Sequence, residues 1–279
     1  MRIIYHLLFF IVIMKSVLNL SKKLAYRATH LNCDICSKSS GINNLESKFV
    51  ELELDKETQE FIDNCSNNFY QLAKASLLRP VLKYFYTVTD ANAILGTGKM
   101  FLLSKNHIKY LLENQTFENM LDIGAGDGNV TSQFKDIIKG KITCTEASPN
   151  MINVLKNKGF DTQEDISGDY ELIGLLNVLD RCDKPISILK SIQKIKKKFV
   201  IISIVLPFRG FYTEGLNKLP QIEKVIGSYK EWEESVHRLS RLFLDLGFNI
   251  EKISRLPYLS EGNFKSNMYS LDTAIFILS

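Results

Sequence analysis

Two acids beside a run of alternate glycines carry the chemistry open to this chain. The stretch L-D-I-G-A-G-D-G-N-V, residues 121–130, places Gly124, Gly126 and Gly128 directly after an apolar run and directly before a helical pattern. Glycines so placed admit backbone conformations closed to other residues and bring peptide N–H groups close to a ligand. Asp122 stands at the end of the strand that enters this loop. Glu146 closes the following strand and offers a carboxylate that can accept from two hydroxyl groups at once. Farther along, Asn177 and Asp180 in L-L-N-V-L-D-R-C-D-K-P occupy the C-terminal end of another strand, where parallel sheets bind their ligands.

The elements that must position these groups are legible as an alternation. Apolar strands at 120–125, 141–146, 160–164, 170–177 and 199–206 alternate with helices at 129–138, 149–157, 185–196 and 229–246, which predicts an α/β fold with a parallel sheet covered on both faces. The last helix carries Trp232, Val236, Leu239, Phe243 and Leu246 on one stripe and stops at Gly247. Two strands, 248–254 and 270–278, close the chain around a polar loop. Ahead of the alternation, residues 50–90 have helical spacing, with Leu77, Val81, Tyr84 and Phe85 on one apolar stripe, and L-G-T-G-K-M-F at 95–101 reads as a bend. The expected organisation is a signal peptide or anchor at 1–20, a linker at 21–49, a helical extension at 50–118 and the catalytic fold at 119–279. The connection at 207–228 is long enough to wall a groove together with residues 50–95.

Composition narrows the function class. The chain has 279 residues, 45% of them hydrophobic and 24% charged, with a formal charge of +4, so it can bury a full core and carries no strong electrostatic footprint for nucleic acid. Its dense basic run, Lys194 to Lys198, falls at a helix end, where cations complement the dipole. The apolar run from Ile3 to Met14, preceded by Arg2 and followed by Lys15, is signal-like and too short for an ordinary span, leaving a cleaved signal or an uncleaved anchor. Secretory-pathway residence, in the endoplasmic reticulum or a related compartment, is the expectation, with the mitochondrion as the alternative and membrane association through this segment. Five cysteines fit that route without proving it, and Cys33-Asp-Ile-Cys36 has no second pair at metal-ligand spacing, so no metal is expected. Asn64, Asn114 and Asn129 each begin an N-x-S/T triplet.

A parallel sheet that ends in a hairpin-like pair is the architecture of class I S-adenosylmethionine-dependent methyltransferases, a Rossmann-like, mostly parallel seven-stranded sheet. The nicotinamide-binding fold competes, but its fingerprint is G-x-G-x-x-G, whereas this loop is G-x-G-x-G, and Asp127 would repel a pyrophosphate. For S-adenosyl-L-methionine as cofactor, Asp122 would hold the ammonium of the amino-acid part and Glu146 the ribose hydroxyls, with Gly124, Gly126 and Gly128 shaping the loop.

The blocks L-D-I-G-A-G-D-G-N-V-T, T-E-A-S-P-N-M-I, L-D-R-C-D-K-P, I-V-L-P-F and R-L-P-Y-L-S-E-G closely resemble the methyltransferase-like 9 (DREV) family of protein-histidine methyltransferases, in order over residues 60–278. The resemblance implies transfer of a methyl group to the pros nitrogen of histidine in His-x-His motifs with a small middle residue. It further implies protein or peptide substrates, and a monomer is expected. Tyr258 resembles the family's tyrosine near the cofactor, and Asp165, by its place after the third strand, is the candidate for adenine. A neutral imidazole attacks only through its acceptor nitrogen, so the enzyme must choose the tautomer. Asp180 is assigned that orienting role, and Asn177 contact with cofactor or imidazole. His107 and His237 read as surface or packing residues. Two other readings stay open: a small-molecule N- or O-methyltransferase with a closed pocket, and an endomembrane binding module that has lost catalysis.

Overall fold

Each central strand carries apolar residues on both sides, so its sheet has to be covered twice. The computed structural model describes residues 45–67, 77–82, 84–86, 88–214, 217–227, 229, 231–262 and 268–279. Among them the chain forms α1 (Lys56–Asn67), α2 (Val88–Leu95), β1 (Met100–Phe101), α3 (Lys105–Leu111), β2 (Phe117–Ile123), β3 (Ile138–Thr145), α4 (Pro149–Asn157) and β4 (Asp161–Thr162). It continues through β5 (Tyr170–Leu176), α5 (Pro185–Ile195), β6 (Lys196–Val205), β7 (Phe211–Glu214), β8 (Asn217–Pro220), α6 (Trp232–Asp245), β9 (Ile250–Glu261) and β10 (Met268–Leu278). Successive strand residues face opposite ways. Met120, Leu172, Ile201 and Ile275 enter one buried cluster with α1 and α3, while Leu121, Ile173, Ile202 and Phe276 enter the other with α5 and α6.

The main sheet runs β1-β9-β10-β6-β5-β2-β3-β4. β4, β3, β2, β5 and β6 are parallel neighbours, and β10 lies antiparallel between β6 and β9. From β2 the chain first builds outward through β3 and β4, then returns to β5 on the other side. This reversal opens a crevice at the carboxyl ends of β2 and β5, where doubly wound sheets bind ligands.

The structure departs from the sequence reading in several places. The sheet has eight strands, because Met100–Phe101 of the expected bend pairs with Ser260 and Leu259 on β9. The segment after the glycine loop is a 3-10 helix, Thr131–Ile137, where an α-helix is expected. The third strand shrinks to two residues at the sheet edge. β9 extends to Glu261, so most of R-L-P-Y-L-S-E-G is strand; Pro257 is tolerated because it falls between the Phe49 bridge at Ile253 and the β1 pairing at Leu259, where that edge has no ladder partner. The long connection at 207–228 holds a separate two-stranded sheet, β7–β8. Lys196 to Lys198 begin β6 instead of ending a helix, and Lys197 and Lys198 pair with Asp169 and Glu171.

The stripe expected to bury residues 77–85 does not: Leu77 is 78%, Val81 60%, Tyr84 80% and Phe85 77% exposed. Leu52, Ile62 and Phe101 supply this region's contribution to the core instead. Among the described residues no helix is long and apolar enough to cross a membrane. The apolar run at 3–14, residues 21–44 of the linker and Cys33 and Cys36 lie outside the described residues, while the end of the linker is ordered against the domain, with Leu45 buried, Glu46–Lys48 a 3-10 helix and Phe49 bridged to Ile253.

Phe276 is fully buried and meets Phe243 edge-on at 5.1 Å, in the same cluster as Trp232, the chain's single tryptophan. Phe276→Ala is expected to lower the unfolding free energy by about 3–5 kcal/mol. Urea denaturation followed by tryptophan fluorescence measures this, and an unchanged midpoint would refute the packing role.

Candidate active site

The crevice is built around one buried carboxylate. Asp122, 2% exposed, lies opposite Gly174 in the β2–β5 pairing, and a Cβ on Gly174 would stand 2.9 Å from Asp122 Oδ1. Gly174 is therefore the space into which Asp122 fits. Thr131 Oγ1 donates to Asp122 Oδ2 at 2.5 Å, while Oδ1 is buried and has no partner. Burial, opposed by the Thr131 hydroxyl and reinforced by the charge of Glu146, pushes the Asp122 carboxyl up to about 7.

The glycine loop turns over this acid. Gly126 has a φ of 58° and open space where a side chain would be. Gly124 and Gly128 pass instead against Val178 and against Leu155 and Phe160. Asp127 turns back on the loop: its oxygens accept from Asn129 N at 3.0 Å and Asn129 Nδ2 at 2.5 Å. Lys158 fastens the loop from below, donating to the Asp127 carbonyl at 2.6 Å and Asn129 Oδ1 at 2.8 Å.

Glu146 is half-buried and already engaged. Its Oε2 accepts from Gly126 N at 2.9 Å and its Oε1 from Ala147 N and Ser148 N at 2.8 and 3.0 Å. A carboxylate has about four acceptor sites, so these three bonds aim the group and leave part of its capacity for a hydroxyl donor. The neighbouring Ser148 hydroxyl donates to Asp90 Oδ1 at 2.5 Å, which seats α2 over the start of α4.

On the β5 side, Asn177 adopts a left-handed φ of 58°, and its backbone N–H donates to the Ser203 carbonyl at 2.9 Å. That turn brings Asn177, Asp180 and Tyr258 together. The Tyr258 hydroxyl contacts Met100 Sδ and the Asn177 side chain, and burial pushes its pKa up to about 12. Asp180 is 6% exposed; Arg181 Nε lies 3.4 Å from its Oδ2, while its Oδ1 and Asn177 Oδ1 are buried without partners. Desolvation raises the Asp180 carboxyl above its ordinary range, with the Arg181 charge opposing.

Asp122, the glycine loop, Glu146, Asn177, Asp180 and Tyr258 therefore border one crevice. Asp165 is exposed on the turn after β4, and no hydrogen bond or ion pair joins its side chain to this cluster. Sequence reasoning passed over Thr131, Gly174, Met100 and Arg181. Of these, Gly174 carried a visible signal, a glycine inside an otherwise bulky strand, which marks a close approach. His107 is a packing residue: its Nδ1 accepts from Ser104 N and its Nε2 meets the Glu53 carbonyl at 2.7 Å.

The DREV methyltransferase signature matches residues 35–279. The chain belongs to the DREV methyltransferase family. It is an S-adenosylmethionine-dependent methyltransferase, as the family requires, and its strand order is that of the class I fold. Similar solved structures include an Aquifex aeolicus S-adenosylmethionine-dependent methyltransferase at 16% identity, covering 61% of this chain and 88% of that one with a TM-score of 0.40. A Leishmania major methyltransferase is likewise 16% identical over 63% of this chain and 69% of its own, TM-score 0.43. The N-methyltransferase NodS of Bradyrhizobium japonicum, in complex with S-adenosyl-L-homocysteine, is 11% identical over 61% and 82%, TM-score 0.38.

The residues present fit S-adenosylmethionine. The buried, unpartnered Asp122 Oδ1 calls for a donor, which an ammonium supplies, and the open side of Gly126 leaves room for the ligand. Asp122 would hold the amino-acid part and Glu146 the ribose; the bound cofactor supplies an electrophilic methyl group.

In the cofactor-free protein the Asp122 pKa stands at about 7 against 3.8 unfolded, so the native state holds the extra proton between these values and loses stability as pH rises across that window. The ammonium prefers the ionised acid. Affinity for S-adenosylhomocysteine is therefore expected to be constant above about pH 7 and to fall by up to about tenfold per unit below it, with a proton released on binding. Calorimetry at pH 6 and 8 in buffers of different ionisation enthalpy checks this. Asp122→Asn should bind more weakly and lose the dependence; identical affinity at both pH values in the wild-type protein would overturn it.

Proposed function

We propose that this methyltransferase modifies protein histidine at the pros nitrogen, in His-x-His motifs. The observation that carries the reading is the pair of unpartnered acceptors, Asp180 Oδ1 and Asn177 Oδ1, buried at the carboxyl end of β5 beside Tyr258. Acceptors held in this way suit a substrate that arrives as a hydrogen-bond donor. A neutral imidazole has one N–H and one lone pair. Asp180 accepts the tele N–H, which leaves the pros lone pair free and aims it at the methyl carbon. The bound cofactor would supply the methyl group to that lone pair, and the methylated ring would then give up its tele proton toward Asp180 and solvent. The Asp180 carboxylate thus fixes the tautomer before transfer and stabilises the positive charge that develops on the ring. Arg181, beside Asp180, disfavours binding of an already protonated imidazole, which could not react.

The sequence blocks shared with histidine-methylating relatives support the same substrate class, and the orienting geometry explains a preference for one ring nitrogen. The apolar run at residues 3–14 supports residence in the endoplasmic reticulum or another secretory compartment. A fusion lacking residues 1–20 should then become cytosolic, and unchanged fractionation would overturn that assignment.

Peptides containing His-Ala-His are expected to be methylated at the pros nitrogen, with either histidine needed for full rate and a bulky middle residue rejected. Asp180→Asn should lower kcat by on the order of 10²-fold while leaving cofactor affinity nearly unchanged. Activity should also fall below the imidazole pKa of ~6.5, as the nucleophile is protonated. Chromatography of hydrolysed product separates the isomers: tele-methylhistidine alone would overturn the orientation, and absence of methylhistidine would favour a small-molecule acceptor or a non-catalytic role.

A further inference from the structure

The turn that carries Asp180 is held from outside the main sheet. The carbonyls of Leu179, Asp180, Cys182 and Asp183 are taken by Phe211, which begins β7, and by residues 221–223, which follow β8. Phe211 N donates to the Asp180 carbonyl at 2.9 Å, and Ile222 N and Glu223 N donate to the Asp183 carbonyl at 3.0 and 3.2 Å. Between them, Gln221 Nε2 donates to the Leu179 carbonyl and to the Cys182 carbonyl, both at 2.7 Å. One side-chain amide therefore spans the two ends of the turn, using both of its N–H groups.

The seat of that amide is built as well. A Cβ on Gly210 would lie 1.9 Å from Gln221 Oε1 and 2.6 Å from its Cδ, so the side chain fits only because residue 210 has none. On the far side, Glu223 accepts from Ser187 N at 2.8 Å and Ser187 Oγ at 2.6 Å, which anchors the same strap to the first turn of α5. The β7–β8 ribbon makes no ladder to the main sheet. Its connection to the crevice runs through these contacts.

We propose that Gln221, seated over Gly210, is a positioning residue that locks the 179–183 turn and so holds Asp180 in register for methyl transfer. The proposal rests on the orienting role given to Asp180 above. Among the described residues no hydrogen bond joins Gln221 to the glycine loop or to Asp122, so its loss should not weaken cofactor binding. A displacement of about 1 Å in an orienting group costs on the order of 10²-fold in rate. Gln221→Ala should therefore lower kcat by about tenfold or more, with S-adenosylhomocysteine affinity and cofactor KM unchanged. Gln221→Glu, which sets a carboxylate against two carbonyl oxygens, should lose more. Gly210→Ala should match Gln221→Ala and add nothing to it in the double variant, since the clash disappears with the amide.

The test combines steady-state kinetics on a His-Ala-His peptide with hydrogen exchange on the full chain. Wild-type kcat in Gln221→Ala, or independent additive losses from the two substitutions, would overturn the proposal. Exchange needs no acceptor: the amides of Phe211, Ile222 and Glu223 should exchange faster in Gln221→Ala, and unchanged exchange would overturn the lock whatever the substrate. A wild-type protein that leaves the peptide unmethylated while exchange responds as expected would overturn the histidine reading alone.

Discussion

A carboxylate buried at the end of the central strand is costly, and much of this molecule is arranged around that cost. Asp122 cannot spread its charge into water, and the charge of Glu146 makes ionisation harder still. The fold relieves it by one hydroxyl from Thr131 and by the missing side chain at Gly174, and leaves Oδ1 without a donor. A site with an unmet demand for a donor is selective by construction, because a ligand that brings an ammonium gains what the apo protein lacks. A ligand that brings a phosphate meets two acids and gains nothing. The preference for an S-adenosyl cofactor over a dinucleotide thus follows from the same burial that raises the Asp122 pKa.

The order of the strands turns that local demand into a shared crevice. β2 and β5 are neighbours even though β3 and β4 come between them in the chain, so Asp122 and the Asn177 turn are brought side by side from positions more than fifty residues apart. Everything else at the site attaches to one of these two ends. The glycine loop and Glu146 belong to the β2–β3 side. Asn177, Asp180 and Tyr258 belong to the β5 side, with β9 delivering Tyr258. The two groups of side chains are separated by topology before any side chain is considered.

How much of this could be read in the sequence depended on the range of the interaction concerned. The strand–helix alternation is a local pattern repeated many times, and it placed α4 to the residue and β5 and α5 within one. The glycine loop, Glu146 and the Asn177 turn follow strand ends, so they were legible once the strands were. Met100–Phe101 was not, because a two-residue strand has no period and exists only through its partner on β9. The stripe at Leu77, Val81, Tyr84 and Phe85 failed for the opposite reason: the period is present, but nothing in the sequence says whether a domain face is free to receive it. Gln221 and Gly210 carried no signal at all. Their meaning lies in two backbone carbonyls some forty residues away.

The extension ahead of the catalytic fold is part of the site instead of an appendage to it. Asp90 on α2 accepts from Ser148 and from Asn150 at the start of α4, directly after Glu146. Glu261 at the end of β9 accepts from Gly98 N at 2.9 Å and holds the chain just before Met100, whose sulfur lies on the Tyr258 hydroxyl. Arg79 donates to Asn92 and Thr97, both at 3.0 Å, and so ties the helical residues 77–82 to the same stretch. Asp90 and Glu261 therefore fasten the segment 88–100 at both ends, one beside Glu146 and one beside Tyr258. A side chain that must remain buried and aimed, as Tyr258 and Asn177 must, needs such a cover, because the carboxyl ends of parallel strands are otherwise open to solvent.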